Sequence, residues 1–383
     1  MKIKRRILSA MLAAVALLAV PFGVSAAETD ESAIGALSNY LLGYMSWGVK
    51  KMGLDTLQEK LEKSGKTLPE VRVAVLDTGL NTSNKYLKGR YVDGYNMIDN
   101  NTDFEDDQYH GTEVCGVIAD GTSSNVKIIP IKVMDKNGDG KMSDTAKGIY
   151  YALEHGADVI NLSLSGDDKN HTYHSLDKAI SDALARNVVV VVAAGNQDSD
   201  ASLRYPANKN NVITITAINK RNTLGLLANY GEPVDFALPG MNIVAPHKSI
   251  MMADSGTSLA APHAAAAAAL LKTWRKDLNQ AQIVEIFKQY AIDLGDRGRD
   301  DTYGWGMIDL SSFDIKKTPE EIVPVTVGDL NKDGRVTILD VTCLQRYLAE
   351  LSAGVCDVRA ADIDGSGKVD IADVTALQLK LAD

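Results

Sequence analysis

Short, nearly continuous apolar runs alternate with amphipathic stretches along most of this chain. Val71 to Leu76, Val126 to Val133, Ala157 to Leu164, Asn187 to Ala194 and Val212 to Ile218 are rich in β-branched residues. Runs of this length and composition, bounded by turn residues, predict strands buried on both faces. Helical spacing of apolar positions marks Leu54 to Leu61, Ser143 to His155 and Leu176 to Arg186, and a helix with small residues on one face opens at His110. Strands alternating with helices predict an α/β domain, a parallel central sheet flanked by helices. The stretch Leu259 to Leu271, with its alanine run, is apolar all round. That pattern predicts a buried helix, and Lys272 ends it short of the roughly 20 residues a membrane span needs.

Charge and composition narrow the partners. The 383 residues carry a formal net charge of -10, which argues against nucleic acid. Met1 to Arg6 is basic, Ile7 to Val20 is apolar, and Val24-Ser25-Ala26 has the small residues of a cleavage site. This is the pattern of a secretory signal peptide over residues 1–26, with an uncleaved membrane anchor as the alternative; no membrane span is expected once it is removed. Residues 27–44 form a short, weakly patterned segment, and residues 45–313 the main domain. Three cysteines, Cys115, Cys343 and Cys356, cannot all pair within the chain, so no dense disulfide framework holds it. Cys115 lies within an apolar helical pattern and reads as packed.

Three reactive side chains stand at element ends. Asp77 closes the run Val71 to Leu76 and is followed by Thr78-Gly79; His110 opens one helix; Ser258 stands where the loop Gly256-Thr257 becomes the alanine-rich helix. Taken singly, Asp77 caps a turn, His110 caps or packs a helix, and Ser258 caps another. Taken together, an acid that orients an imidazole, an imidazole that takes a hydroxyl proton and a helix N-terminus that favours anions make an acyl-transfer set. Asn196, at the end of the run Asn187 to Ala194, offers an amide donor for a developing oxyanion. Two metal-like patterns are set aside. Asp135 to Gly140 resembles the start of a calcium loop, but its twelfth position is Ala146; His171 and His174 lack a third ligand.

The order Asp, His, Ser, with Val73 to Gly79 reading V-A-V-L-D-T-G, His110 to Gly116 reading H-G-T-E-V-C-G, Ala193 to Asn196 reading A-A-G-N and Gly256 to Pro262 reading G-T-S-L-A-A-P, resembles the subtilisin-type serine proteases, the subtilases. The resemblance implies a serine endopeptidase with Asp77, His110 and Ser258 as triad and Asn196 as oxyanion donor. It implies that Ser163, Leu164, Ser165 and Gly166 form one edge of the cleft for a peptide substrate, with Gly138, Asp139 and Gly140 across from them. Arg204 stands where the family often has a small residue at the floor of the pocket for the residue before the scissile bond. A guanidinium there would favour Glu or Asp; alternatively Arg204 meets solvent, Asp198 or Asp200. Two departures stand out. Only about 18 residues separate the cleavage-like site from the start of the resemblance, too few for a folded pro-domain. Glu113 replaces a histidine common in the family's H-G-T-H-V form. No calcium ion is assigned to this domain.

After Ser312 the composition changes. Residues 314–326 are polar and contain Pro319 and Pro324, which suits a semi-rigid linker. Residues 327–383 contain a repeat at an offset of about 33 residues. Each copy is a calcium loop joined to a helix, predicting a small all-α module with two calcium ions. Asp329, Asn331, Asp333 and Asp340 take loop positions 1, 3, 5 and 12, with the carbonyl of Arg335 at 7; Asp362, Asp364, Ser366, Asp373 and Lys368 repeat them. The duplication resembles dockerin, which implies docking onto a cohesin domain of a scaffolding protein, with Ile338-Leu339 and Ile371-Ala372 as recognition residues. Cys343 and Cys356 either pair or stay as thiols. Three functions remain open: a scaffold-tethered extracellular endopeptidase, an inactive member of the fold that only binds, and a protease whose repeat is merely stabilising.

Overall fold

The computed structural model describes residues 46–92, 94–167, 173–317, 327–331, 336–349, 360–366 and 369–382. The expected signal peptide, the segment following it, most of the linker, His171, Asp333, Arg335, Cys356 and Lys368 lie outside the described residues. Helices α1 (Trp47–Lys51) and α2 (Leu54–Glu62) lead into β1 (Val71–Asp77), β2 (Tyr95–Asn96), α3 (His110–Asp120), β3 (Val126–Lys132), α4 (Met142–Glu154) and β4 (Val159–Leu162). Then come β5 (Gly166–Asp167), α5 (His174–Ala185), β6 (Val189–Ala193), β7 (Arg204–Tyr205), β8 (Ile213–Ile218) and β9 (Phe236–Pro239). The hairpin β10 (Ile243–His247) and β11 (Ile250–Asp254) precedes α6 (Thr257–Trp274), followed by α7 (Gln280–Gln289), β12 (Ala291–Ile292) and β13 (Met307–Ile308). Further on stand α8 (Ile338–Leu348) and α9 (Ile371–Ala382).

Seven strands form the central sheet in the order β2-β3-β1-β4-β6-β8-β9, every neighbouring pair parallel. The predicted strands are all present, and the continuous apolar runs have the expected cause. Val73 and Val75 pack into one core with α2, α3, α6 and α7, while Ala74 and Leu76 pack into a second with α4 and α5. The strand order turns back at β1, with β3 and β2 on one side and β4 onward on the other. In open α/β sheets the crevice at such a reversal, outside the carboxyl ends of the strands, is where sites form. Asp77 is the last residue of β1.

Helix α6 is the centre of the larger core. All but two of its residues are buried. Lys272, expected to end the apolar stretch, lies inside the helix and is itself 2% exposed, its ammonium donating to the Asn187 carbonyl at 2.8 Å. Residues of α1 and α2 belong to the same core: Val49, Met52, Leu54 and Leu57 are fully buried. Gly48 lies against the His263 ring so closely that no side chain would fit there. Cys115 is fully buried, as its apolar setting predicts, and burial pushes its thiol well above the ordinary range. Among the described residues, no helix is long and apolar enough to cross a membrane.

The C-terminal module repeats its own hydrogen bonds. The Asp340 carboxylate accepts from the backbone N–H of Leu330 (2.8 Å), Asn331 (2.9 Å) and Thr337 (2.8 Å). The Asp373 carboxylate accepts from Ile363 (2.7 Å), Asp364 (3.2 Å) and Asp370 (2.9 Å), the equivalent residues of the second copy. Each aspartate is fully buried and ties the start of its loop to its helix. Leu330, Val341, Cys343, Leu344, Val374 and Leu377 fill the small core between the copies.

Candidate active site

The motif residues around β1 and α3 interlock through backbone. The Thr78 hydroxyl accepts from the Gly111 N–H at 2.8 Å, and the Thr112 hydroxyl accepts from the Asn81 N–H at 3.0 Å. A side chain on Gly111 would strike the Gly79 carbonyl, so glycine permits this approach. Asp106 supplies the acid at the head of α3. Its carboxylate accepts from the N–H groups of Gln108, Tyr109 and Thr112, satisfying donors that the first turn leaves open. The result places His110 Nδ1 2.8 Å from Asp77 Oδ1, with Asp77 fully buried and His110 one quarter exposed. Burial works against the imidazolium. The Asp77 carboxylate and its hydrogen bond, with Glu113 and Asp254 behind, outweigh burial and raise His110 to about 9. With Nδ1 engaged by Asp77, Nε2 is the nitrogen left to face a reacting group.

Ser258 is the second residue of α6, and Gly256 is the N-cap. A side chain on Gly256 would stand 3.2 Å from both Ser258 Oγ and Asn196 Nδ2, so hydroxyl and amide flank one small space. The Asn196 carboxamide is oriented by its oxygen, which accepts from the Thr257 N–H at 2.9 Å and the Thr257 hydroxyl at 3.2 Å. Its NH₂ is thereby left for the cleft. Pro262, inside α6, has no N–H to give the Ser258 carbonyl one turn earlier. The Ser163 hydroxyl donates to that carbonyl instead, at 2.8 Å.

Thr78, Gln108, His110, Met134, Gly138, Ser163, Leu164, Ser165, Ala193, Gly195, Asn196, Thr257 and Ser258 line one cavity of about 230 Å³. The structure thus brings His110, Ser258 and Asn196 together with Gly138, Ser163, Leu164 and Ser165. Asp139, Gly140, Gly166 and Arg204 are not part of this lining. Arg204 is half-buried on β7, in register with Asp167 of β5. The loop Asp135 to Gly140 is a turn closed on itself, with the Asp139 carbonyl accepting from the Asp135 N–H at 2.8 Å.

Two groups beside the site have partners that the sequence does not reveal. Lys132, 5% exposed and paired in register with Asp77, donates to the Thr78 carbonyl (2.7 Å), the Met134 carbonyl (3.1 Å) and Asp107 (2.7 Å). Glu113 meets His247 Nδ1 at 2.5 Å, which gives the departure from the family's usual histidine a partner on β10. Burial raises the Glu113 carboxyl above its ordinary range.

In the second module, Asp362, Asp364 and Asp373 each bring a carboxylate oxygen within 4.8 Å of the others. Hard oxygens at that mutual distance suit a cation held at about 2.3–2.6 Å from each, as calcium is.

Comparison with known proteins agrees with this architecture. The model of the subtilase family matches residues 69–306, and that of the dockerin type I domain matches residues 327–382. The chain belongs to the subtilase family. It carries a C-terminal dockerin type I domain. It is 31% identical over 269 residues to the minor extracellular protease Epr of Bacillus subtilis (strain 168), an alignment covering 68% of this chain and 41% of that protein. It is 37% identical over 242 residues to a thermophilic serine proteinase of Bacillus sp. (strain AK1), covering 61% of this chain and 59% of the relative. The chain therefore spans less than two thirds of the length of either relative. A solved cold-adapted subtilisin-like serine proteinase superposes with a TM-score of 0.57 at 28% identity, covering 63% of this chain and 89% of that one.

Proposed function

We propose that the protein is an extracellular serine endopeptidase that its dockerin tethers to a cohesin-bearing scaffold. The observation that carries the catalytic half is the 2.8 Å hydrogen bond between Asp77 and His110, with His110, Ser258 and Asn196 lining one cavity. His110 Nε2 takes the Ser258 proton as the hydroxyl oxygen attacks the scissile carbonyl; Asp77 holds the imidazole and stabilises its cation. The carbonyl oxygen becomes an oxyanion, and Asn196 Nδ2 donates to it. Its collapse breaks the C–N bond, His110 returns its proton to the leaving amine, and the acyl group stays on Ser258. Water, deprotonated by His110, then releases the acid and restores the serine.

The substrate backbone lies along Ser163 to Ser165 with Gly138 opposite, which gives affinity independent of side chains. A fluorophosphonate probe tests the catalytic reading: labelling must occur and must vanish in Ser258→Ala. Absence of Ser258-dependent labelling sinks it.

The dockerin half rests on the match over residues 327–382 and on exposed apolar residues at the head of each helix. Ile338, Leu339 and Ile371 are 63%, 61% and 70% exposed. Asp329, Asn331, Asp333, Asp340 and the Arg335 carbonyl would hold one calcium ion, and Asp362, Asp364, Ser366, Asp373 and the Lys368 carbonyl a second. Bound calcium cross-links loop oxygens, so its binding energy becomes folding energy. Pull-down with an immobilised cohesin, in calcium and in chelator, tests this half; no capture by any cohesin of the source organism would leave the repeat a stabilising appendage.

A further inference from the structure

The Asn196 carboxamide sits on an exposed stretch, residues 196–198, between the end of β6 and the turn at Asp200. An oxyanion donor must be held within fractions of an ångström, because only a donor already in place gains from the developing charge. Among the described residues, the hydrogen bonds on the Asn196 side chain come from one residue, Thr257. Something else must fix the backbone that carries it.

That backbone closes around Asn229. Asn229 is fully buried, far along the chain, and every polar atom of its side chain is used. Nδ2 donates to the Ala194 carbonyl at 2.9 Å and to Gln197 Oε1 at 3.0 Å. Oδ1 accepts from the Gln197 N–H at 2.8 Å and the Ser199 N–H at 3.2 Å. The Asn229 N–H donates to the Gly195 carbonyl at 3.0 Å. One residue thus grips positions 194, 195, 197 and 199, on both sides of 196. Its own carbonyl is anchored to the sheet, accepting from the hydroxyl of the buried Thr216 on β8 at 2.5 Å.

Gly195 completes the fit. It takes a φ of +103°, and a Cβ there would stand 2.5 Å from Asn229 Nδ2 and 2.7 Å from Gln197 Oε1. The space a side chain would need is the space the Asn229 amide occupies. The Gly195 N–H, in turn, donates to the Thr257 hydroxyl at 3.1 Å, the same hydroxyl that meets Asn196 Oδ1. The two carboxamides are therefore set by a shared frame: Thr257 fixes the Asn196 head, and Asn229 fixes its backbone.

We propose that Asn229 is a positioning residue for oxyanion stabilisation, acting through Asn196. The inference rests on the reading of Asn196 as the oxyanion donor and adds the group that holds it in place. A carboxamide is required at 229, because the position must donate twice and accept twice. Aspartate of the same shape can only accept, and it would turn a carboxylate toward the Ala194 carbonyl.

The test is a double-mutant cycle on the full chain, with a leucyl peptide p-nitroanilide as probe. Asn196→Ala should lower kcat by about 10²–10³, the magnitude established for subtilisin itself. Asn229→Ala and Asn229→Asp should each lower kcat by about tenfold or more and leave KM within about twofold, since the donor matters only in the transition state. In the Asn196→Ala background the same substitutions should cost almost nothing further. Should Asn229→Ala not fold, Gln197→Ala carries the test: it removes one acceptor at an exposed side chain and should show the same pattern more weakly. An equal loss in both backgrounds, or an unchanged kcat, overturns the proposal. A wild-type chain that Ser258-directed labelling fails to mark defeats the endopeptidase reading instead. A labelled, active chain whose Asn196→Ala variant keeps full kcat defeats the oxyanion role, and the role of Asn229 with it.

Discussion

Ser163 donates its hydroxyl to the carbonyl of Ser258, the helical carbonyl that Pro262 leaves without an intrahelical partner. The Asn161 amide, itself buried, donates to the Ser163 oxygen at 2.9 Å and so turns the hydroxyl proton toward Ser258. The cleft edge and the head of α6 are thereby fastened at the residue that carries the proposed nucleophile. Ser163→Ala should leave both partners unsatisfied, at a cost of about 1–3 kcal/mol in stability. It should also lower kcat, because the helix head loses its lateral tie. Chemical denaturation beside steady-state kinetics checks both; wild-type values in the two together would reject the tie.

The pH profile follows from the charges around His110. A base must be neutral to accept the serine proton, and the surrounding carboxylates raise His110 to about 9 despite burial. The acid limb of kcat/KM should therefore lie on the alkaline side of neutrality. Glu113 and Asp254 both favour the imidazolium, so Glu113→Gln or Asp254→Asn should move that limb to lower pH. Profiles of the three proteins between pH 5 and 11, on the scale of about one pH unit per removed charge or less, decide the matter. A limb that moves upward would contradict the electrostatic account.

Acid should destabilise the fold through His263. It is fully buried on α6, its Nδ1 2.8 Å from the Leu259 carbonyl, and burial lowers it to about 4. The unfolded chain therefore binds a proton that the folded chain refuses. Stability is full above the unfolded value near 6.5 and falls as the pH drops toward 4, by about 3 kcal/mol in all. Thermal melts of Ser258→Ala, with and without His263→Gln, should show a shallower acid slope in the glutamine variant even if its stability at pH 7 is lower.

Specificity at the residue before the scissile bond should be apolar. Leu164, Met134 and Ala193 line the cavity, and His110 is the only titratable side chain among the lining residues. His110 must be neutral to act as the base, and beyond it a buried carboxylate or ammonium would find no partner of opposite charge in that lining. Peptides differing only in Leu, Glu or Lys at this position should be cleaved fastest with Leu. A preference for Glu would instead bring Arg204 into the pocket, as its position in the sequence first suggests.

Calcium removal should act on the C-terminal module. Asp373→Ala removes a carboxylate that both faces the other loop aspartates and holds three backbone N–H groups. In the full-length Ser258→Ala chain, chelator or Asp373→Ala should open residues 327–382 to added trypsin and leave the larger domain intact. Calcium should restore protection after the chelator and not after the substitution. Equal protection in calcium and chelator would remove the metal from the account.

The elements that could be read from the sequence are those whose burial is uniform or, as in α2, α4 and α5, falls on one face at helical spacing. β1, β6 and α6 are apolar on every side because both faces of the sheet, and all faces of α6, meet protein. The hairpin β10–β11 escapes such a reading, since it mixes Pro246, Lys248 and exposed positions with buried ones. Helix α7 does carry a local signal, the capping box of Asn279 with Gln282. The proposed triad and Asn196 stand out because each ends an element beside glycine. Asn229, Lys132 and the Glu113–His247 pair do not, because their partners are distant in sequence and their roles exist only once the strands are side by side.

The alanine helix has one last consequence. Ser258 rides on a helix of which all but two residues are buried, so no partial opening at the surface displaces it while the core stays intact. Loss of activity on heating should then coincide with loss of the whole domain, and a working copy exposed to its neighbours should be nicked first at surface turns, far from its own chemistry. For a protease exposed to its own activity, durability is decided by how rarely the entire core comes apart.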